Sequence, residues 1–412
     1  MMQYITYLIP ICLSLMLGVL LVQYLTVHPL KMSLYLIGTC LVFFVLIVVL
    51  WIGFRGIQLW IGIALSLLSF ALGYFGMTHL LLKREDLRPV PEITRRKDDT
   101  GLGHTAVVYF SHGEPETYDP IGWINQFNEF REQRIPFVPL VAIPFFIYQL
   151  RNKYLAVGRS NHRKMHARMI RSLESMYRVE GDTNTKFYLS FLDDNPRPDA
   201  AVIQALNDGA SRIIVSEVFL TISNHTAEGK ELIQDLNIEQ EYGVPVLYTG
   251  PLYDSSTLKS MFLARADANI SDTDKSKVGV LLVGHGQPDE WDVEWPTETE
   301  QEISFREDVL RLLADNGYAR ENISLAWMEF KQPEPADKVI AFSNNGVEKV
   351  LYFSAAISAD ALHSQYDVPA LIHAAGMPDG FPLINLGAWN DDPIVIQAIK
   401  EKIDQQMITL DS

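Results

Sequence analysis

The chain has 412 residues, 48% of them hydrophobic and only 20% charged, with a formal net charge of −16. That acidity argues against a nucleic-acid binder, which needs a basic footprint. Two cysteines cannot build a disulfide framework, a cysteine zinc site or an iron–sulfur cluster.

The charge is unevenly spread. Residues 1–103 hold eight basic and five acidic residues, a net +3, which leaves −19 on the remainder. The basic part contains three charge-free apolar runs, at 5–27, 32–54 and 56–82. Each reaches the roughly 20 residues that a spanning helix needs. No Lys or Arg precedes the first run, so a cleaved signal peptide is not expected. With three spans, Lys31 shares a membrane side with Lys83, Arg84, Arg88, Arg95, Arg96 and Lys97, while Arg55 stands alone on the other. The richer side is expected in the cytoplasm, with the N-terminus outside. The spans therefore read as an anchor, residues 1–86, in the cell membrane. His79 is the ionisable residue within a span, and its place near the cytoplasmic end suits a neutral ring reaching the interface.

Residues 87–103 carry two prolines, a charge run and two glycines, the composition of a tether. Beyond it, short β-branched runs alternate with amphipathic helical patterns, which predicts an α/β fold with doubly wound parallel sheets. Strands are expected at 106–110, 187–191, 213–219, 278–283, 323–328 and 350–354. The basic stretch 151–171 (Arg151, Lys153, Arg159, Arg163, Lys164, Arg168, Arg171) leaves three readings open. It meets substrate carboxylates, meets anionic lipid headgroups, or is the solvated face of a helix. His162 and His166, four apart, suit a metal in spacing but lack a third ligand.

A repeat runs through this region. Val-Val-Tyr-Phe-Ser-His-Gly-Glu-Pro at 107–115 matches Val-Leu-Leu-Val-Gly-His-Gly-Gln-Pro at 280–288. Pro196 and Pro198 align with Pro333 and Pro335, and His225 and His363 each follow the next strand. The spacings agree apart from one insertion between His112 and Pro196. Two tandem domains are expected, 104–270 with the insertion and 271–412 with the main site. In open parallel sheets ligands bind beyond the carboxyl ends of the strands, where His285, Glu329 and His363 should converge. Two imidazoles and a carboxylate suit a borderline divalent metal, and Asp367 would share a helix face with His363. Aligning on the prolines puts Leu192 opposite Glu329, so the His112 and His225 half reads as scaffold, with His112 lining the cleft.

The ordered series of His-Gly-Gln-Pro-Asp, Trp-Met-Glu-Phe-Lys-Gln-Pro-Glu-Pro and Ala-Asp-Ala-Leu-His-Ser-Gln-Tyr-Asp (359–367) resembles the class II tetrapyrrole chelatases. That superfamily includes ferrochelatase and the sirohydrochlorin cobalto- and ferrochelatases. The resemblance runs from about residue 105 to the C-terminus. It implies a lyase that inserts a divalent metal, Fe2+ or Co2+, into a tetrapyrrole, the metal being substrate and no organic cofactor being needed. It also implies catalytic roles for His285, Glu329 and His363, with Asp367 beside them at the metal. His112, Trp291, Trp295 and Arg151 would line the macrocycle site. His363 stands where sirohydrochlorin chelatases have a His and ferrochelatases usually a Glu. The apolar, proline-broken segment 135–147 is similar to a ferrochelatase lip. Both branches stay open, as does a carrier that binds tetrapyrrole or metal at the membrane without inserting it.

Overall fold

A computed structural model describes residues 2–84, 88–132 and 138–411. The chain forms two compact units, Met1–Leu87 with Thr117–Arg159, and Arg88–Glu116 with Ser160–Ser412.

The first unit is helical. Helices α1 (Met2–Thr26), α2 (Pro29–Gly53) and α3 (Ile57–Leu82) follow the three apolar runs, and each is long and apolar enough to cross a membrane. α1 and α3 approach closely because Gly73 has no side chain: a Cβ there would lie 2.1 Å from the Leu15 carbonyl oxygen. α2 leaves Leu34, Ile37, Leu41, Phe44 and Trp51 exposed, as a lipid-facing helix does. The insertion supplies α4 (Pro120–Glu132) and α5 (Ile143–Val157), which belong to this helical unit. Residues 135–137 of the expected lip lie outside the described residues.

The second unit holds a duplicated α/β arrangement. Its first half runs β1 (His104–Ser111), α6 (His162–Val179), β2 (Thr185–Phe191), α7 (Pro198–Asn207), β3 (Ala210–Glu217), α8 (Asn224–Gln234), α9 (Ile238–Tyr242), β4 (Val246–Tyr248) and α10 (Ser256–Asp267). The second half runs β5 (Val278–Gly284), α11 (Asp289–Glu294), α12 (Pro296–Asp315), β6 (Ile323–Trp327), α13 (Pro335–Asn344), β7 (Lys349–Ser354), α14 (Val368–His373), β8 (Leu383–Gly387) and α15 (Pro393–Asp411). The two parallel sheets have the orders β2-β1-β3-β4 and β6-β5-β7-β8, the same order in each half.

The central strands β1 and β5 are buried along their whole length, which is why each carries a continuous apolar run, 106–110 in β1. Alternate residues serve different cores. Val107 and Tyr109 of β1 join Val280 and Leu282 of β5 in one core shared by the halves. Ala106, Val108 and Phe110 face a core within the first half, and Leu281 and Val283 face one within the second. The C-terminal helix α15 packs on β3, α6 and α10, so it covers the first half. The fourth strand of each sheet, β4 and β8, spans three and five residues and was not among the expected strands.

Candidate active site

Both expected histidine turns form where a central strand ends. Gly286 follows His285 with φ +82°, and a Cβ there would lie 2.3 Å from the Glu329 carbonyl oxygen. Only glycine lets the loop after β6 come this close. The Glu329 N–H then donates to the His285 carbonyl at 3.1 Å. The first half repeats the device. Gly113 has φ +98°, and the Asp193 N–H donates to the His112 carbonyl at 2.8 Å.

The rings are oriented alike. His285 Nδ1 lies 2.6 Å from the Gly286 carbonyl oxygen, and His112 Nδ1 lies 2.9 Å from that of Gly113. A carbonyl only accepts, so Nδ1 carries the proton and Nε2 keeps its lone pair. His363 opens a π-helical turn, His363–Asp367, beyond β7. Its Nδ1 lies 2.9 Å from Asp367 Oδ2, so Nδ1 is engaged here too. The His285 and His363 rings meet edge to face, centroids 5.2 Å apart.

Their basicities diverge. Burial, then the neighbouring His363, lowers the pKa of His285. Burial acts on His363 in the same direction, but Asp367, Glu329 and Glu114 together outweigh it and raise that pKa. The pKa of one imidazole of the pair is pushed down and that of the other up, a divergence associated with acid–base sites.

Glu114 escaped the sequence reading although it lies inside the His-Gly-Glu-Pro motif. It is buried and crosses to the second half, where its carboxylate accepts the Leu362 N–H at 3.0 Å. Burial raises its pKa, partly offset by Ser160 and His363. The matching residue, Gln287, donates instead to Asp292 at 2.7 Å and to the Trp295 carbonyl at 2.9 Å. It thereby ties down α11, which carries Trp291.

The first half is more complete than the proline alignment implied. The equivalent backbone bonds to His112 and His285 pair Asp193, not Leu192, with Glu329. The loop after β6 holds one residue more before Pro333 than the loop after β2 holds before Pro196, and in it Phe330 takes φ +63°. Asp193 Oδ2 lies 3.3 Å from His112 Nδ1, and the His112 and His225 rings are 4.6 Å apart. Burial, then His112 and His285, pushes the His225 pKa well down. Trp291 meets His225 edge-on at 6.5 Å, so an aromatic group of the second half faces the first-half pair.

Two expected roles change. Arg151, expected to meet substrate, is wholly buried in the helical unit, where its Nη1 donates to the Tyr24 and Val27 carbonyls at 2.6 and 3.0 Å. These are carbonyls that the end of α1 leaves unpaired. Asp367, expected among the metal ligands, meets His363 Nδ1 at 2.9 Å, the contact of a carboxylate that orients an imidazole. Trp295 contributes its backbone carbonyl to Gln287. Among the described residues, no three His, Cys, Asp or Glu side chains are gathered closely enough to form a metal cage. Glu329 sits beside the imidazole pair and acts on both rings through its charge.

His162 and His166 form a buried structural pair. His166 Nδ1 bonds the Tyr109 hydroxyl at 2.8 Å, and its Nε2 lies 2.9 Å from Ser111 Oγ and 3.2 Å from His162 Nε2. Burial pushes the His166 pKa down to about 3.

No protein-family model and no curated protein matches the sequence. The chain is similar to solved structures. The sirohydrochlorin chelatase SirB from Bacillus subtilis subspecies spizizenii, in complex with cobalt, shares 12% identity, with 73% of this chain and 94% of that one covered and a TM-score of 0.44. SirB from Bacillus subtilis with Fe3+ shares 13% identity over 73% and 95% of the two chains, at a TM-score of 0.47. A multi-domain protein from Deinococcus radiodurans, described as structurally similar to chelatases, shares 14% identity over 73% and 54%, at 0.44.

Proposed function

We propose that the protein is a membrane-anchored chelatase that inserts a divalent metal, Fe2+ foremost and Co2+ as the alternative, into a tetrapyrrole. The observation that carries this reading is the His285–His363 pair. Two imidazoles stand edge to face, each with Nδ1 engaged by an oxygen, and their pKa values are shifted in opposite directions. Insertion demands two things of a site: acceptance of the pyrrolic protons and replacement of the metal's water. His285 accepts one pyrrolic proton at Nε2 and releases it to solvent before taking the second. His363, oriented by Asp367, and Glu329 offer a nitrogen and an oxygen to the incoming metal. A two-imidazole site short of a closed cage suits a metal that must leave again for the macrocycle. Trp291 offers an aromatic wall to a flat substrate.

A sirohydrochlorin chelatase is the second reading. It is favoured by a histidine rather than a carboxylate at position 363 and by the intact His112, Asp193 and His225 set. Residues 87–103 tether the anchor to the halves 104–270 and 271–412. The excess of Lys and Arg at Lys31 and in residues 83–97 supports an orientation with the N-terminus outside and the site in the cytoplasm.

The test is anaerobic incubation of the full-length protein in detergent with Fe2+ or Co2+ and protoporphyrin, coproporphyrin or sirohydrochlorin. The absorption bands of a metallated product support the reading. Tight binding without turnover identifies a carrier instead.

A further inference from the structure

We propose that the N-terminal half of α5 and the turn before it are seated in the acyl region of the bilayer, as a re-entrant segment beside the spans. Depth is read from the hydrogen bonds inside the helical unit. The Tyr74 hydroxyl donates to the Val141 carbonyl at 2.6 Å, and the Tyr74 and Phe145 rings stack at 6.5 Å. Tyr74 lies eight residues before Leu82, the end of α3, so this contact falls about 12 Å below that end at 1.5 Å per residue. At the other end, Arg151 donates to carbonyls of Tyr24 and Val27, and the Tyr118 hydroxyl to that of Thr26, all at the end of α1. Ile143 to Arg151 is also eight residues, so α5 rises by the same 12 Å between these two levels.

The sequence of α5 changes character at the matching point. Ile-Pro-Phe-Phe-Ile at 143–147 is wholly apolar, whereas Tyr148, Gln149, Arg151, Asn152 and Lys153 follow it. Ile143, Ile147, Arg151 and Tyr154 form the buried stripe of the helix. Leu140, Val141, Phe145 and Phe146 stay exposed at the deep level. Four large apolar side chains exposed together, next to two apolar spans, fit hydrocarbon as their surroundings. The tyrosines 24, 118, 148 and 154 gather at the upper level, the arrangement of an interfacial belt. Within the turn the Ala142 N–H donates to the Pro139 carbonyl at 2.7 Å, and Tyr74 takes the Val141 carbonyl.

The test uses the full chain with Cys12 and Cys40 replaced by alanine, reconstituted in phosphatidylcholine–phosphatidylglycerol vesicles. Single cysteines replace Phe146, Leu155, Leu68 in mid-α3 or Ile408 on α15, each carrying a nitroxide. Collision with oxygen and with a water-soluble nickel complex is measured by electron paramagnetic resonance. The label at Phe146 is expected to match Leu68, rich in oxygen and shielded from nickel. Leu155, above Arg151, should match Ile408. Equal nickel access at Phe146 and Leu155 overturns the proposal, because it describes a helix lying along the surface or in water. Shielding of Phe146 from both probes also overturns it, showing a protein contact in place of lipid.

Discussion

Replacing Asp367 with asparagine tests how His363 is held. The carboxylate accepts from His363 Nδ1 at 2.9 Å, fixing the tautomer that leaves Nε2 free for metal. Asparagine keeps the shape but removes the charge, and its amide can donate to Nδ1, which moves the ring proton to Nε2 and blocks it. Loss of such an outer carboxylate typically weakens metal binding about 10–100-fold. That corresponds to about 1.4–2.7 kcal/mol. A second effect follows from the pKa. His363 is raised above the ordinary imidazole value, so metal must displace a proton and affinity climbs with pH through that raised value. Without Asp367 a principal raising influence is gone, and the midpoint of that climb moves to lower pH. The assay is Co2+ titration of the full-length protein in detergent from pH 5.5 to 8.5, followed by visible absorption and calorimetry. Wild-type affinity with an unmoved pH midpoint in Asp367→Asn would refute the assigned role.

Three further outcomes are expected. Gly286→Ala places a Cβ 2.3 Å from the Glu329 carbonyl at φ +82°, costing about 1–3 kcal/mol, and differential scanning should show a clear drop in Tm. On the proposed assignment of the chemistry to the second half, Asp193→Asn should leave insertion within about threefold of wild type; a loss as deep as that of a second-half variant would move the site to His112 and His225. His166 has a folded pKa of about 3 against 6.5 unfolded, so the unfolded chain binds the extra proton and stability falls as pH drops from about 6.5. His166→Gln should lessen the acid-induced loss of unfolding free energy by up to about 1.4 kcal/mol per pH unit at the steepest, read from denaturant melts across pH; an unchanged acid profile would count against this titration.

Much of the architecture was legible in the sequence for simple reasons. Three uninterrupted apolar runs of that length read as helices long enough to span a membrane, and helices form over all three. β1 and β5 bury both faces, so each carries a continuous apolar run, 106–110 in β1, and the chain then turns visibly at His-Gly. The edge strands β4 and β8 are too short to show a period, and their residues are mostly half-buried. The duplication was visible, but aligning on Pro196 and Pro333 carried a one-residue offset, because Phe330 extends one loop. That offset hid Asp193 as the partner of Glu329. Glu114 was hidden by distance, since its acceptor role toward Leu362 spans 248 positions of sequence. Arg151 misled because its partners are backbone carbonyls of α1, which leave no trace in side-chain pattern. The insertion shows the same limit: its apolar face was evident, whereas its membership of the helical unit required tertiary structure.

The most direct test of the central claim is single-turnover insertion by the wild type and by His285→Ala, using the macrocycle and metal that the wild type accepts. The account predicts that the variant binds the macrocycle and keeps its Tm and circular dichroism, yet forms no metallated product on the wild-type timescale. Product formation by His285→Ala at near wild-type rate would contradict it.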